Sequence, residues 1–304
     1  KGLEYLLEEE VKALGLRITR VSPQGVYGEA DLAVIYQLCL WSRLANRVQL
    51  LLFSGQAHNE QTLYQLCNQF PWQTVFSADK TLAIEFHGSS THIRNSMFGA
   101  QVVKDGIVDH FRQFKGMRPS IDREKAQIRL HAHLKHDIVT VSFDLTGYSL
   151  HQRGYRTQAG EAPLKENIAA AMLIRAKWPQ LAANGYALHD PFCGAGTLVI
   201  EAAMMAGHIA PGLLRHDQSL IYWAQHQPSL WEKVRAEALQ LRGDARRRCD
   251  LQLIRAGVKP LRRTVAPAPA QPQLMAARNH AMLRGQRLEH RSRLNGHGRC
   301  DPFV

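Results

Sequence analysis

The stretch Asp190-Pro191-Phe192-Cys193-Gly194-Ala195-Gly196-Thr197 decides the reading of this chain. It follows the short apolar run Tyr186-Ala187-Leu188 and precedes a run rich in Ala, Leu and Met over 198–206. Strand, acidic turn, Gly-x-Gly and helix, in that order, describe a cofactor-binding turn in a doubly wound α/β domain. Gly194 and Gly196 lack Cβ atoms, so the backbone turns sharply and a ligand can approach it closely. Thr197 is placed to cap the next helix, whose free N–H groups favour a carboxylate or another anion. Ile200 stands where a dinucleotide fingerprint has its third glycine, and the Lys-Ser/Thr of a phosphate loop is absent. Cys193 reads as a small packing residue rather than a nucleophile.

Working outward, composition bounds the rest. The chain has 304 residues, 45% of them hydrophobic, enough for two domains or more with a sizeable core. No apolar run approaches the roughly 18 residues of a membrane span. Five scattered cysteines form no C-x-x-C, so neither a zinc site nor a disulfide framework is expected, and a reducing cytoplasm fits. Lys1 in place of an initiator Met leads us to expect a chain that starts inside a longer protein. The net charge is +12, but residues 241–304 hold 14 basic and 4 acidic groups against 24 and 22 in the remainder. The body is therefore nearly neutral, and global charge is poor evidence for a basic nucleic-acid surface on it.

Upstream, 2–55 reads as a small α+β unit. Leu3, Leu6, Leu7, Val11 and Leu14 share a helical face that Gly15 stops. Short strands are predicted over 17–21 and 25–27, a helix capped by Asp31 through Leu40, and a strand over 48–53. The stretch 56–151 predicts a helix over 60–70, a strand over 81–86, and a helix over 97–114 with Phe98, Val102, Ile107 and Phe111 in its apolar stripe. Two strands close it. Ile128, Leu130, Ala132 and Leu134 alternate with Arg129, His131, His133 and Lys135, and Val139, Val141, Phe143 and Leu145 alternate with Thr140, Ser142 and Asp144. Period two predicts one buried and one solvated face, with a turn at His136-Asp137. His131 and His133 share a face, but no third ligand is spaced to join them, so no metal is expected. An Ala-rich helix ending near Trp178-Pro179 leads into the glycine turn, and a helix over 228–241 uses Leu230, Val234, Ala238 and Leu241. Beyond it, 242–304 is rich in Arg and Pro, weakly periodic, and expected to be irregular.

Several of these strings resemble one family. D-P-x-C-G-x-G-T resembles motif I of S-adenosylmethionine-dependent methyltransferases that modify exocyclic amines of bases. Thr91-His92-Ile93-Arg94-Asn95-Ser96-Met97-Phe98-Gly99-Ala100, with Lys104-Asp105-Gly106-Ile107-Val108-Asp109, resembles the core of a THUMP domain. His151-Gln152-Arg153-Gly154-Tyr155-Arg156 and Ala162-Pro163-Leu164-Lys165-Glu166-Asn167 resemble the entry to the catalytic domain of THUMP enzymes, and Trp223-Ala224-Gln225-His226 follows in the same order. Over about 1–241 the chain resembles the large-subunit ribosomal RNA guanine-N2 methyltransferases, in the amino-terminal half of the bifunctional bacterial enzyme.

The resemblance implies an α+β and α/β multidomain fold: a ferredoxin-like unit over 1–54, THUMP over 55–152, an incomplete Rossmann-like methyltransferase domain over 153–241, and the Arg/Pro-rich tail over 242–304. It implies S-adenosyl-L-methionine as cofactor, ribosomal RNA as partner, and a cytoplasmic enzyme without metal. Asp190, Pro191, Cys193, Gly194, Gly196 and Thr197 would line the donor site. Arg94, Asn95 and Lys104 would face RNA, with Arg153, Tyr155 and Arg156 as further contacts. The family's acidic residue after the second strand and its Asn-Pro-Pro-Tyr loop, which holds the flipped base, have no counterpart here. Asp301-Pro302-Phe303 has one Pro and no preceding strand. A truncated or frameshifted catalytic domain is therefore one expectation, with the catalytic residues unknown. The alternative is a non-enzymatic RNA-binding module. A thiouridine synthase is disfavoured, because its Ser-Gly-Gly-x-Asp-Ser loop is missing.

Overall fold

The computed structural model describes residues 2–23, 25–156, 164–191, 193–215 and 218–255. Helix α1 (Glu4–Ala13) buries Leu6 and Val11, and the chain leaves it through Gly15 at φ +101. Strands β1 (Arg17–Ser22) and β2 (Gly25–Glu29) form an antiparallel hairpin. Helix α2 (Leu32–Trp41) begins at Asp31, whose carboxylate accepts from the Val34 N–H, as its sequence position predicts.

The next strand, β3 (Gln49–Gln56), does not join this first unit as its place in the sequence predicts. It instead pairs with β6 at the edge of a four-stranded sheet. That sheet is completed by α3 (Glu60–Gln69), β4 (Leu82–Gly88), α4 (Ser96–Lys115), β5 (Ile128–Lys135) and β6 (Ile138–Asp144), with strand order β3-β6-β5-β4. Strands β4 and β5 run parallel, so the chain between them must cross over, and α4 makes that crossover. The other pairs are antiparallel, and β5–β6 closes through His136 and Asp137, both at positive φ.

The period-two reading of β5 and β6 holds on one side. Ile128, Leu130, Ala132, Leu134, Val139, Val141 and Phe143 are all buried in the main core with Ile107 and Phe111 of α4. Gly106 makes the α3–α4 crossing possible, since a Cβ there would lie 2.7 Å from the Cys67 Cβ. Two expectations need correction. Phe98 lies outside the α4 core stripe and is 41% exposed. The opposite face of the sheet is not solvated along its middle, because Arg129, His131, Ser142 and Asp144 are buried. Tyr148 covers Arg129 at 5.0 Å, and the Arg123 and Glu124 carbonyls accept from its guanidinium.

The elements that follow β6 are helices joined by turns and loops. Helices α5 (Glu166–Arg175) and α6 (Trp178–Ala183) are separate, because Lys177 takes φ +57 and Pro179 then fits the first turn of α6. The Ala-rich helix thus ends at Arg175, just before Trp178-Pro179, and α6, which starts there, is an element the sequence reading did not include. Helix α7 (Thr197–Ala206) packs with α5, α6 and α1 in a second core made of Leu6, Leu44, Ala170, Ala171, Leu173, Trp178, Ala202 and Met205. Helix α8 (Pro228–Arg255) buries Trp231, Val234 and Ala238 against Tyr36 of α2 in the main core, while Leu241 is exposed.

The helix continues past residue 241, where the apolar pattern weakens, so 242–255 is not irregular; the tail expectation for 256–304 lies outside the described residues. No strand forms at Tyr186-Ala187-Leu188, and among the described residues none follows β6. A parallel strand exists only through ladder bonds to neighbours, and no described strand flanks this run. Residues 1–249 form one compact unit.

Candidate functional site

The two glycines of the turn take the conformations that their sequence predicts. Gly194 sits at φ +50 and Gly196 at φ +74, a region that L side chains rarely adopt. The Gly196 N–H donates to the Cys193 carbonyl at 2.7 Å, closing the turn, and the Gly196 carbonyl accepts the first bond of α7, from the Ile200 N–H. A Cβ on Gly194 would meet nothing within 4 Å, so the turn opens outward. Pro191, Cys193 and Gly194 are exposed and Asp190 is half-buried; Phe192 lies outside the described residues.

Thr197 is not the cap of α7. Gly196 takes that position and offers no side chain, so no side-chain hydrogen bond closes the helix start. The first-turn N–H groups of a helix have no intrahelical partner and carry the positive end of its dipole. An uncapped start beside two glycines therefore suits an anionic group of a ligand. Thr197 is buried instead, and its Oγ1 accepts from Arg156 at 3.0 Å.

Behind the turn lies a charge cluster that the linear reading misses. Glu201 on α7 is fully buried. Its Oε1 accepts from Tyr155 Oη at 3.1 Å and Arg153 Nε at 3.4 Å, and Arg43 lies 3.8 Å from Oε2. Arg43 also donates to the Ile209 carbonyl at 2.7 Å, and Arg153 to the Arg43 and Leu150 carbonyls. Burial lowers the Arg43 pKa to about 10, against the pull of Glu201, and burial with the Glu201 charge pushes the Tyr155 phenol up. The one signal in the sequence is a single carboxylate inside the apolar run Thr197–Ala206.

This cluster corrects the expectation for Arg153. Its side chain is 1% exposed and its donors are engaged inside the protein, so it presents no guanidinium to RNA. Tyr155 turns its hydroxyl to Glu201, and Arg156 donates to Thr197 and the Leu164 carbonyl and pairs with Glu166 at 3.3 Å. All three tie the segment after the sheet to α5 and α7. Ala162 and Pro163 of the same string lie outside the described residues.

Arg94 and Asn95 sit elsewhere, at the start of α4, with Lys104 more than two turns further along it. Arg94 and Asn95 are exposed; Asn95 caps α4 by accepting from the Met97 N–H at 2.8 Å, and Arg94 Nε donates to the Thr91 carbonyl. Met97 and Phe98 stand exposed beside them. Lys104 is half-buried and pairs with Asp105 at 2.8 Å. His131 is buried rather than paired with His133; its ring lies beside Glu85 and His87 of β4, which supply the neighbours that spacing along one strand does not reveal.

The described residues thus hold a four-stranded sheet unit followed by a glycine turn at the start of α7. Three family models match in succession: the RlmL ferredoxin-like domain over 1–49, the THUMP domain over 57–144, and the RMKL-like methyltransferase domain over 153–274. The chain thus carries a ferredoxin-like, a THUMP and an RMKL-like methyltransferase domain in that order. It is 76% identical over 240 residues to the ribosomal RNA large subunit methyltransferase K/L of Legionella pneumophila, covering 79% of this chain and 34% of that protein. The protein of the same name from Pseudomonas aeruginosa is 50% identical over 240 residues, covering 79% and 33%. The chain thus spans about a third of the length of these curated relatives. Among solved structures, a Listeria monocytogenes protein described as a predicted N6-adenine-specific DNA methylase aligns with TM-score 0.69 at 30% identity, covering 79% of this chain and 62% of that one. SMU.472, solved in complex with SAH, aligns with TM-score 0.68 at 29% identity over the same shares.

Proposed function

We propose that this chain provides the RNA-holding and methyl-donor-holding parts of an S-adenosylmethionine-dependent methyltransferase that acts on the exocyclic N2 of a guanine in large-subunit ribosomal RNA. The observation that carries this is the outward-opening turn with Gly194 and Gly196 at positive φ before the uncapped start of α7. Asp190, Pro191, Cys193, Gly194, Gly196 and Thr197 line the donor site in this reading. The carboxylate of the donor's methionine moiety would sit at the α7 start, where N–H groups and dipole favour it. The neighbour solved with SAH, the product left after a methyl group departs from S-adenosylmethionine, supports the choice of donor. The names of the curated relatives support ribosomal RNA as the substrate.

Arg94, Asn95 and Lys104, with the exposed Met97 and Phe98, form the RNA-facing edge. Charge holds phosphate there, and the apolar side chains stack on bases. Arg156 holds Thr197 and so positions the turn rather than the RNA. The reaction is a direct displacement: the guanine amine attacks the sulfonium methyl, the C–S bond breaks as the N–C bond forms, and the amine proton leaves to solvent. Positioning supplies most of such a rate. The 304 residues contain no Asn-Pro-Pro-Tyr string to grip the target amine. Donor and RNA binding are therefore the steps that the residues of this chain support.

Calorimetric titration of S-adenosylmethionine into the chain tests this, with Gly194→Asp as control. The new side chain meets open space but carries a left-handed backbone strain of about 1–2 kcal/mol, so circular dichroism first checks that the variant is folded; its charge then opposes the donor carboxylate. Binding that falls at least about tenfold in the variant, a loss of about 1.4 kcal/mol, supports the reading. A folded chain that binds RNA but no donor would leave the RNA-binding module.

A further inference from the structure

The polar face of the four-stranded sheet gathers a group of side chains that methyl transfer does not use. In the parallel register of β4 and β5, Glu85 lies opposite His131 and His87 opposite His133. Glu85 Oε2 is 3.4 Å from His131 Nδ1 and 4.0 Å from His87 Nε2, and one donor atom from each of the three lies within 4.8 Å of the others. The two imidazoles stack, with ring planes 10° apart. We infer that Glu85, His87 and His131 form a divalent-cation site of the zinc type on this sheet.

Two features separate this group from an ordinary polar patch. Zinc bonds to nitrogen and oxygen are about 2.0–2.2 Å long, so tetrahedral ligand atoms lie roughly 3.3–3.5 Å apart. The Glu85–His131 separation already meets that spacing. His87 has a 65% exposed side chain and needs only a small side-chain movement to close its gap. The second feature lies behind the ring. His131 Nε2 faces Asp144 Oδ2 at 3.4 Å, and Asp144 is fully buried. A zinc-bound imidazole characteristically gives its other N–H to a carboxylate, which fixes the tautomer and aims the ligating nitrogen. Asp144 is itself held by the Thr146 N–H at 2.9 Å, the Thr146 hydroxyl at 2.6 Å, and the Arg47 guanidinium.

Arg47 and Arg129 oppose a cation. They lie 4.0 Å from Glu85, both against Oε1, the oxygen turned away from the histidines, while Oε2 faces His87 and His131. The charges of Glu85 and Asp144 balance these two guanidiniums. Two imidazoles and a carboxylate leave a fourth position on the exposed side for water, an arrangement that suits Zn²⁺.

Cobalt(II), whose visible d–d bands report tetrahedral ligands, and zinc competition with a chromophoric chelator test the site in the full chain. The expected result is one cobalt ion per chain with a tetrahedral spectrum. His87→Ala, at an exposed position, and Glu85→Gln, an isosteric change at a half-buried one, should lower zinc affinity at least about tenfold without changing the circular dichroism. Asp144→Asn should lower it about 10–100-fold, as loss of an outer carboxylate does. His133→Ala, outside the cluster, should leave it unchanged. Absence of a d–d band, or a band that persists in His87→Ala and Glu85→Gln, would overturn the inference. Equal loss in His133→Ala would overturn it too. The readout is metal occupancy, so a failure here would leave the donor-binding proposal standing.

Discussion

At the scale of single residues, burial separates groups that the sequence cannot rank. Cys39 and Cys67 are fully buried, and burial pushes their thiols up to about 12, whereas Cys193 in the glycine turn is exposed. Thiolate is the reactive form. Iodoacetamide at pH 8 followed by peptide mapping should therefore modify Cys193 in the folded chain, and Cys39 and Cys67 only after unfolding. Asp144 gives a pH prediction. Its folded pKa lies below its ordinary value of 3.8, so it stabilises the fold above that pH, and the contribution is lost as pH falls through the folded pKa. Asp144→Asn should lower stability at neutral pH by roughly 3 kcal/mol, as expected for breaking a buried pair. It should also flatten the acid limb of the stability curve below about pH 4. Urea melts across pH 2–7 would show this, and an unchanged acid limb would contradict it.

At the scale of elements, α7 links the turn to the rest of the protein through Glu201. Replacing Glu201 with Ala leaves Arg43 and Arg153 buried without their counter-charge, at a cost of about 3–5 kcal/mol. A thermal melt should show Tm lower by roughly 10 °C; a shift below about 2 °C would mean the cluster is not structural. Glu201→Gln keeps an acceptor for Tyr155 and should lose less.

Elements whose determinants are local are legible in the sequence. The alternation of β5 and β6, the Asp31 cap, the Gly15 stop and the Gly194–Gly196 turn all depend on neighbours a few residues away. Partners distant in sequence are not legible. The pairing of β3 with β6 joins residues about ninety positions apart, as in Gln49 with Asp144, and Arg43 meets Glu201 across a longer gap still. The face carrying His131 reads as solvated because the loops that cover it, and the β4 strand that brings Glu85 and His87, leave no mark in its own periodicity. Arg153 reads as an RNA contact for the same reason: charge in a sequence does not reveal burial.

At the scale of the molecule, the two ligands proposed should respond differently to salt. The nearly neutral 1–240 body carries the turn, and the basic excess lies in 241–304. RNA binding releases counterions and weakens steeply with salt, whereas a small donor held by backbone groups does not. Between 50 and 200 mM salt, filter binding of a ribosomal RNA fragment should weaken at least about tenfold. Donor affinity over the same range should stay within about twofold, because screening acts weakly on a ligand with so few charges. A parallel fall in both would contradict two separate sites.

If the Asp190–Thr197 turn holds S-adenosylmethionine, Cys193 lies inside the occupied site. The most direct test is the rate of Cys193 alkylation with and without saturating S-adenosylmethionine, read by mass spectrometry on the folded chain. Slowing of at least about tenfold is predicted with S-adenosylmethionine or SAH and none with ATP, with Gly194→Asp abolishing the protection. An alkylation rate unchanged by the donor would contradict donor binding at this turn.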